Sequence, residues 1–301
     1  MINNLPDVVN QEKPDVYGKL DWVGMDDVEL PVNLKLDDKT LKQSPARANI
    51  YVSLDNESKK GIHMSRLFIA AMENLASKEL DLPLIEQILD RFLDSHSDIS
   101  NSAKMELSFD FLTTRKSLKS ENFGWRSYPV KIKAEKHRDE KMNISLNLDV
   151  YYSSTCPCST ALSRELNYDS FLSKFSSKET ISVEEAANFI RSKEGLSATP
   201  HAQRSTASCS LSLDPALPNF DLDRWISTIE ASLGTPVQAV VKREDEQEFA
   251  RLNAANLMFS EDAGRRVKQA LDAEEGLLDF RGKISHFESL HPHDAVAFFS
   301  K

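Results

Sequence analysis

The sequence predicts an α+β fold built from two similar modules in tandem, with antiparallel sheets that carry helices on one face. Segments of alternating apolar and polar residues recur along the chain, and residues 104–112 are the clearest of these strands. Apolar residues three or four positions apart mark helices between the strands. The order strand, helix, helix, strand, strand in the first half is followed by a comparable order in the second half.

Composition narrows the class of protein. The 301 residues include 40% hydrophobic and 28% charged residues, which is typical of a globular protein. A net charge of −10 argues against a nucleic-acid partner. No apolar run approaches the roughly 20 residues of a membrane span, and the N-terminus lacks a signal-peptide pattern. Three cysteines do not suggest a disulfide framework, so we expect a reduced, cytoplasmic protein.

The first part of the chain is interpreted as a leader and one module. Residues 1–45 are rich in Asp, Pro, Asn and Lys and predict an extended leader. The N-terminal module is expected over residues 46–140. Its elements are a strand at 49–55, a helix that residues 61–67 lead into and that runs to about 76, a second helix near 84–92, and strands at 104–112 and 127–135.

The C-terminal module is expected over residues 141–301. Its strands are predicted at 145–152, 206–213, 280–288 and 295–299, and its helices at 221–233, 244–251 and 260–273. A capping box begins at Ser182, with Glu185 three positions later. It predicts a helical insertion at about residues 166–197, which we interpret as a lid or an oligomer contact.

Two cysteines lie where the strand at 145–152 ends, in Thr155-Cys156-Pro157-Cys158-Ser159. Proline ends strands, so the chain is expected to open into a loop there. Thiolates bind zinc-like metals and also act as nucleophiles. The alternative is that both cysteines are small apolar fillers.

His201 precedes the strand at 206–213, just as Cys156 follows an earlier strand. If these two strands are antiparallel neighbours, the two residues meet at one sheet edge. The charged run that ends in Glu246 could add a carboxylate, and a Cys, His, Glu set with an open position is typical of a catalytic metal site. A surface histidine and a solvated helix face are the alternatives.

Glu261 follows an apolar pair and is another carboxylate candidate. In one unbroken helix it would lie ~22 Å from Glu246. The two could share a site only if the helix breaks near residues 253–256, or if the site is built across subunits. Further candidates for chemistry or phosphate binding are His291 and the basic residues His63, Arg66, Arg115, Lys116 and Arg204, each of which could instead be simply exposed.

Six motifs in order resemble the GTP cyclohydrolase type IB family. They are Gly61-Ile-His-Met-Ser-Arg-Leu, Ser154-Thr-Cys-Pro-Cys-Ser, His201-Ala-Gln-Arg-Ser, Lys242-Arg-Glu-Asp-Glu, Phe259-Ser-Glu-Asp and Glu288-Ser-Leu-His-Pro-His-Asp-Ala. Two departures stand out. The stretch between the cysteines and His201 is longer than is usual in the family, and Ala198-Thr-Pro-His-Ala-Gln-Arg replaces Gly-Ala-His-Asn-Gln-Arg.

The resemblance implies two tandem tunnelling-fold modules and a role for each matched residue. Cys156, His201 and Glu246 would hold a divalent metal ion, with zinc, manganese or iron as candidates. Glu261 would anchor guanine, His291 would act as a catalytic acid or base, and Cys158 would be structural. The implied reaction converts GTP to 7,8-dihydroneopterin triphosphate and formate on the route to tetrahydrofolate, in a homotetramer.

Two other functions stay open at this point. A tunnelling-fold enzyme could use Cys156 as a covalent nucleophile on a deazaguanine, in a nitrile reduction that needs NADPH and no metal. Alternatively, a non-catalytic scaffold could hold a metal in a closed four-ligand site.

Overall fold

The computed structural model describes residues 7–37 and 40–301. Its strands form one eight-stranded antiparallel sheet in which each strand pairs with its neighbours in sequence. The strands are β1 Leu20–Asp37, β2 Thr40–Leu54, β3 Ser102–Lys116, β4 Phe123–His137, β5 Asn143–Thr155, β6 Ala202–Leu213, β7 Leu277–His286 and β8 Ala295–Ser300.

Helices fill the longer connections. They are α1 Val8–Gln11, α2 Met64–Leu75, α3 Leu82–Ser95, α4 Pro157–Phe175, α5 Val183–Arg191, α6 Leu222–Leu233, α7 Arg243–Ala255 and α8 Ser260–Asp272. Within the described ranges, no helix has the length and apolar character needed to cross a membrane. The α+β prediction and the antiparallel pairing are confirmed, with a single continuous sheet.

The core lies between one face of the sheet and helices α2, α3, α6 and α8. Strand β3 alternates buried and partly exposed residues, because its apolar side chains point to the helices. On α3, Ile85, Ile88 and Leu89 are fully buried at helical spacing. The opposite face carries charged side chains such as Arg47 and Lys131, which line a broad depression.

The predicted extended leader is wrong for most of the described residues before position 46. Residues 20–37 form β1, which pairs with β2 along most of its length. Leu30, Val32 and Leu34 alternate into the core, a strand pattern that Pro31 and the surrounding polar residues obscure in the sequence. Residues 1–6 and 38–39 of the predicted leader lie outside the described residues.

The chain does not open into a loop after the strand that precedes the cysteines. Helix α4 begins at Pro157, directly after Cys156. Proline is well tolerated in the first helical turn because the amide hydrogen it lacks would have no partner there. The predicted insertion is a helical pair, α4 and α5, that starts earlier than expected. The rings of Phe171, Phe175 and Phe189 hold the pair together.

A buried carboxylate anchors the N-terminus of α7. Asp245 is fully buried and accepts hydrogen bonds from the Lys119 and Ser120 amides, the Ser120 hydroxyl and the Lys242 amide. Burial raises the pKa of Asp245, but these hydrogen bonds outweigh it and leave the pKa well below its usual range. The ionised Asp245 therefore ties α7 to the β3–β4 connection.

Replacing Asp245 with Asn should lower the thermal unfolding temperature at pH 7 by several degrees, since donors then face a weaker acceptor. The pKa of Asp245 is lower in the folded chain than its value of 3.8 in the unfolded chain. Ionised Asp245 therefore stabilises the fold fully above pH 3.8, and this stabilisation is lost as the pH falls from 3.8 through the pKa of the folded chain. Calorimetry from pH 7 to pH 3 should show that the difference in unfolding temperature between variant and wild type is smaller at pH 3 than at pH 7. Asp272→Asn, at an exposed helix pair, is the matched control. Equal effects of the two substitutions would contradict the anchoring role.

Candidate active site

The pairing of β5 with β6 brings Cys156 and His201 together, as predicted. Thr155 lies opposite Ala202 in the register of the two strands. The Cys156 amide donates to the His201 carbonyl at 3.3 Å, and the His201 amide donates to Ser159 Oγ at 3.1 Å. Residues 45 positions apart are therefore held at one edge of the sheet by backbone contacts.

Cys156 occupies the N-cap position of α4. Its Sγ accepts from the Ser159 amide at 3.5 Å, and the side chain is half-buried, whereas Cys158 is exposed. The Cys156 sulfur therefore lies at the start of a helix, beside a backbone N–H group. Cys156 is thus the member of the pair that faces the site.

A cavity of about 330 Å³ opens beside Cys156. Its walls come from the ends of β5 to β8 and the start of α8. The lining residues are Cys156, Gln203, Met258, Phe259, Ser260, Glu261, His286, Glu288, Ala295 and Val296. The structure therefore joins Cys156 and Glu261 in one cavity, although they are far apart in sequence.

The predicted helix break between the two candidate carboxylates is present. Helix α7 ends at Ala255 and α8 begins at Ser260. Between them the Met258 amide donates to the Thr155 carbonyl at 3.3 Å, which fixes the connection against β5. Glu261 consequently lies in the first turn of α8, at the cavity.

Glu246 is not placed in this cavity. It is exposed in the first turn of α7. Asn253, seven positions later and so on the same helix face, lies against β5, where its Oδ1 accepts from Ser153 Oγ at 2.7 Å. Glu246 thus lies about 10 Å further along the helix axis. In residues 7–37 and 40–301, no three His, Cys, Asp or Glu side chains are assembled for metal binding.

Sequence reasoning gave no role to Glu288, which the structure places in the cavity wall. Its Oε2 is buried and has no hydrogen-bond partner among the described residues. This oxygen lies 3.9 Å from His201 Nδ1. Glu288 was the last residue of the strand predicted at 280–288, and a carboxylate at a strand end was the available signal, but it was interpreted only as part of a motif.

His286 was also missed, because it lay within a predicted strand. It is 3% exposed, yet it lines the cavity, and its Nε2 lies 2.8 Å from the Tyr152 hydroxyl. Burial lowers the pKa of His286 to about 4, against a smaller opposing effect of the Glu261 charge. The imidazole is therefore neutral at physiological pH.

The predicted basic residues lie at both ends of the strands, some at the end of the sheet that carries the cavity and others at the opposite end. His63 and Arg66 start α2, which follows the end of β2, whereas Cys156 follows the end of β5. The register from β2 through β4 places the end of β2 at the edge where β5 begins. Arg66 donates to the Ser95 carbonyl at 2.6 Å. These two residues thus lie away from the cavity of their own chain.

The remaining predicted residues lie outside the lining of the cavity. Arg115 donates to Tyr128 Oη at 3.1 Å and to Asp223 at 2.7 Å, within an ion-pair cluster. Lys116 pairs with the Glu121 carboxylate, and Arg204 is exposed on β6. His291 is exposed between β7 and β8, with its ring stacked on His293 at 5.1 Å.

Comparison with known proteins gives a consistent result. The family model for type I GTP cyclohydrolase folE2 matches residues 5–297. GTP cyclohydrolase FolE2 of Pseudoalteromonas translucida is 45% identical over 99% of this chain and 97% of its own length. The FolE2 protein of Hydrogenovibrio crunogenus is 43% identical over 99% and 94%.

Solved structures share the fold at low identity. A uricase from Bacillus fastidious has a TM-score of 0.53 at 10% identity, covering 93% of this chain and 92% of its own. A hyper-thermostable AgUricase mutant has a TM-score of 0.50 at 9% identity, covering 95% and 92%. These likenesses indicate a tunnelling-type fold and nothing about chemistry.

The neutral state of His286 predicts a pH dependence of stability. The pKa is lowered on folding from 6.5 to about 4. The unfolded chain therefore binds the proton first, and stability falls as the pH drops from 6.5 towards 4, by up to about 3 kcal/mol. His286→Gln should flatten urea-unfolding free energies across this range. His137→Gln, at an exposed position, is the control. An unchanged slope in His286→Gln would show that His286 is not the group responsible.

Proposed function

We infer that this chain, which belongs to the type I GTP cyclohydrolase FolE2 family, hydrolyses GTP to 7,8-dihydroneopterin triphosphate and formate, the first step towards tetrahydrofolate. The observation that carries the inference is the cavity itself. One wall offers the half-buried thiol of Cys156, and another offers the carboxylate of Glu261. The reaction needs both kinds of group, one beside the ring carbon that is attacked and one that holds the base.

Glu261 is suited to hold the guanine. A carboxylate accepts two hydrogen bonds side by side, which matches the N1–H and 2-amino donors of guanine. The cavity volume of about 330 Å³ is within the usual range for small-molecule sites. Glu261 also lies in the first turn of α8, which holds it at the cavity wall.

The donors at the cavity edge fit a divalent metal ion. Cys156 supplies a thiol sulfur, His201 an imidazole nitrogen, and the unpartnered buried oxygen of Glu288 adds negative charge nearby. Such mixed donors suit Zn²⁺, with Mn²⁺ and Fe²⁺ as further candidates. A bound ion would lower the pKa of a water molecule for attack on C8 of the purine.

The motif match assigns the third ligand to Glu246. Because that residue is exposed about two helical turns beyond the contact of Asn253 with β5, it must reach the site by movement of α7 or from a second copy of the chain. Glu288 approaches His201 on its Nδ1 side, which is opposite to a metal on Nε2. We therefore assign Glu288 to the surroundings of the site rather than to the ligand set.

His291 is the proposed acid and base. Its loop joins Glu288 to Ala295, and both of these residues line the cavity. A short movement of this exposed loop would bring the imidazole over the substrate, where it can transfer protons to the ring nitrogen and during formate loss. Closure of a loop on substrate binding is common in enzymes.

The triphosphate requires cations from more than one place. Lys116 and Arg204 are exposed at the cavity edge of the sheet, whereas His63 and Arg66 lie at the other edge. The latter pair would have to come from a second copy of the chain. This arrangement supports a homo-oligomer, proposed as a tetramer of cytoplasmic subunits. Each subunit would hold two tandem modules with a boundary between β4 and β5.

The activity can be tested directly. Incubation with GTP and Mn²⁺ or Zn²⁺ should release formate and, after oxidation, fluorescent pterin in equal amounts. Addition of a chelator should abolish both signals. NADPH-dependent reduction of a deazaguanine nitrile without metal, or tight metal binding without any GTP turnover, would contradict the proposal.

The ligand assignment predicts the effect of three substitutions. Cys156→Ala and Glu246→Ala should each reduce bound metal and lower turnover at least about 100-fold, since loss of one ligand leaves the site incomplete. Glu244→Ala removes an exposed carboxylate from the same helical turn and is the matched control. Metal content by atomic emission and turnover of GTP are the measurements. Normal metal content in Glu246→Ala would require a different third ligand.

A further inference from the structure

A row of hydrogen-bonded side chains starts at His201 and runs behind the cavity. His201 Nδ1 lies 3.2 Å from the Gln203 carbonyl oxygen Oε1. The Gln203 amide nitrogen donates to Ser154 Oγ at 2.9 Å, and Ser154 Oγ lies 2.7 Å from Ser205 Oγ. Ser154 and Ser205 are both completely buried, so neither hydroxyl has water as an alternative partner.

A second, shorter row lies beside this one. Ser205 lies opposite Tyr152 in the β5–β6 register. Tyr152 is also completely buried, and its hydroxyl lies 2.8 Å from His286 Nε2. Each of the two histidines is thus hydrogen-bonded to buried side chains of β5 and β6, and the two rows lie next to each other at Ser205 and Tyr152.

The direction of donation is set from the His201 end. Gln203 Oε1 can only accept, so His201 Nδ1 must carry the hydrogen. Glu288 Oε2, 3.9 Å away, is a second acceptor facing the same nitrogen. Gln203 then donates to Ser154, whose single hydrogen is left for Ser205.

The same rule applies to each following hydroxyl. If Ser205 donated back to Ser154, the buried Ser154 hydrogen would have no acceptor, which is costly. The Tyr152 hydroxyl is buried too, and His286 Nε2 is the acceptor found for its hydrogen among the described residues, so Tyr152 donates to His286 Nε2. A neutral His286 that accepts on Nε2 carries its hydrogen on Nδ1. No hydrogen bond to this Nδ1 is found within residues 7–37 and 40–301, and the ring lines the cavity.

We propose that two buried hydrogen-bonded rows, His201–Gln203–Ser154–Ser205 and Tyr152–His286, fix the two imidazole tautomers, so that His201 keeps an unprotonated Nε2 for a metal ion and His286 presents Nδ1–H to the purine. His286 is thereby a specificity-determining residue for the 6-oxo group of the base. The proposal rests on the proposed function for the identity of the substrate, whereas the tautomers do not depend on it.

The choice of the 6-oxo group follows from the order of atoms on guanine. Its edge presents the 2-amino donor, the N1–H donor and then the O6 acceptor. Glu261 accepts from the two donors, so a donor is needed beside it for O6. His286 lines the same cavity as Glu261 and lies within range of its charge. Adenine, with an acceptor at N1 and a donor at position 6, would meet the wrong partner at both residues.

The tautomers are measurable without any assay of activity. The full chain, loaded with Zn²⁺ and labelled with ¹⁵N-histidine, contains seven histidines, and long-range ¹H–¹⁵N correlation spectra distinguish Nδ1–H from Nε2–H rings. His286→Gln identifies the His286 signals. We expect Nδ1–H for His286 in the wild type and a mixture of tautomers in Tyr152→Phe. An Nε2–H ring in the wild type, or no change in Tyr152→Phe, would overturn the proposal.

Substrate discrimination tests the proposed role of His286 in recognising the 6-oxo group. In 6-thio-GTP a sulfur, which is a poor acceptor, replaces O6. The wild type should prefer GTP over 6-thio-GTP in kcat/KM by about threefold to tenfold, the usual effect of one hydrogen bond. His286→Phe should reduce the ratio to near one, and Tyr152→Phe should give an intermediate ratio. Tyr128→Phe removes another buried phenol, bonded to Glu230 outside the cavity, and should keep the wild-type ratio.

The outcomes separate this proposal from the proposed function. If the wild type does not turn over GTP, the proposed function fails, while the tautomer measurement still tests the two hydrogen-bonded rows. If GTP is turned over and His286→Phe keeps the wild-type ratio, the specificity role of His286 is wrong. If thermal unfolding shows that His286→Phe does not fold, Tyr152→Phe is compared with the wild type instead. A wild-type kcat/KM ratio of GTP to 6-thio-GTP in Tyr152→Phe would then show that the specificity role of His286 is wrong.

Discussion

The antiparallel pairing of β5 with β6 is the interaction on which the site depends. Its register sets Thr155 opposite Ala202, and so sets Cys156 beside His201. It also sets the buried Tyr152 opposite the buried Ser205. Side chains alternate between the two faces of a strand, so a slip of one residue would send half of these groups to the other face. The cavity, the metal-ligand candidates and the buried hydroxyls share one geometric cause.

The carboxylates near this edge have different tasks because they differ in partners. Asp245 is buried under four donated hydrogen bonds and holds α7 in place. Among the described residues, Glu261 accepts only a hydroxyl from its neighbour Ser260, and the buried Glu288 Oε2 accepts nothing. A carboxylate that accepts all its hydrogen bonds from the protein stabilises the fold, whereas one with an unused acceptor oxygen can bind a ligand. The same functional group, a carboxylate, thus stabilises the fold at one position and is available to a ligand at two others.

Much of this arrangement could be predicted from local patterns. Alternation was sufficient for β3, and helical spacing was sufficient for α3, because burial on one face leaves a period in the sequence. The meeting of Cys156 with His201 followed from where two strands end. Strand β1 was missed because Pro31 and acidic residues interrupt its pattern, and Pro157 was read as opening a loop although it starts a helix. His286 and Glu288 derive their importance from partners on other strands, which no local pattern records.

The helical pair α4 and α5 joins the end of β5 to the start of β6, two positions that the strand register already fixes. The free energy of closing a loop rises only with the logarithm of its length, by about 0.6 kcal/mol for each doubling. The length of the connection between β5 and β6 therefore has little effect on the relative positions of Cys156 and His201. Insertions here can be gained or lost in evolution with little effect on the chemistry beneath them, and the same junction offers protein engineers a tolerant place to graft a new domain beside the cavity.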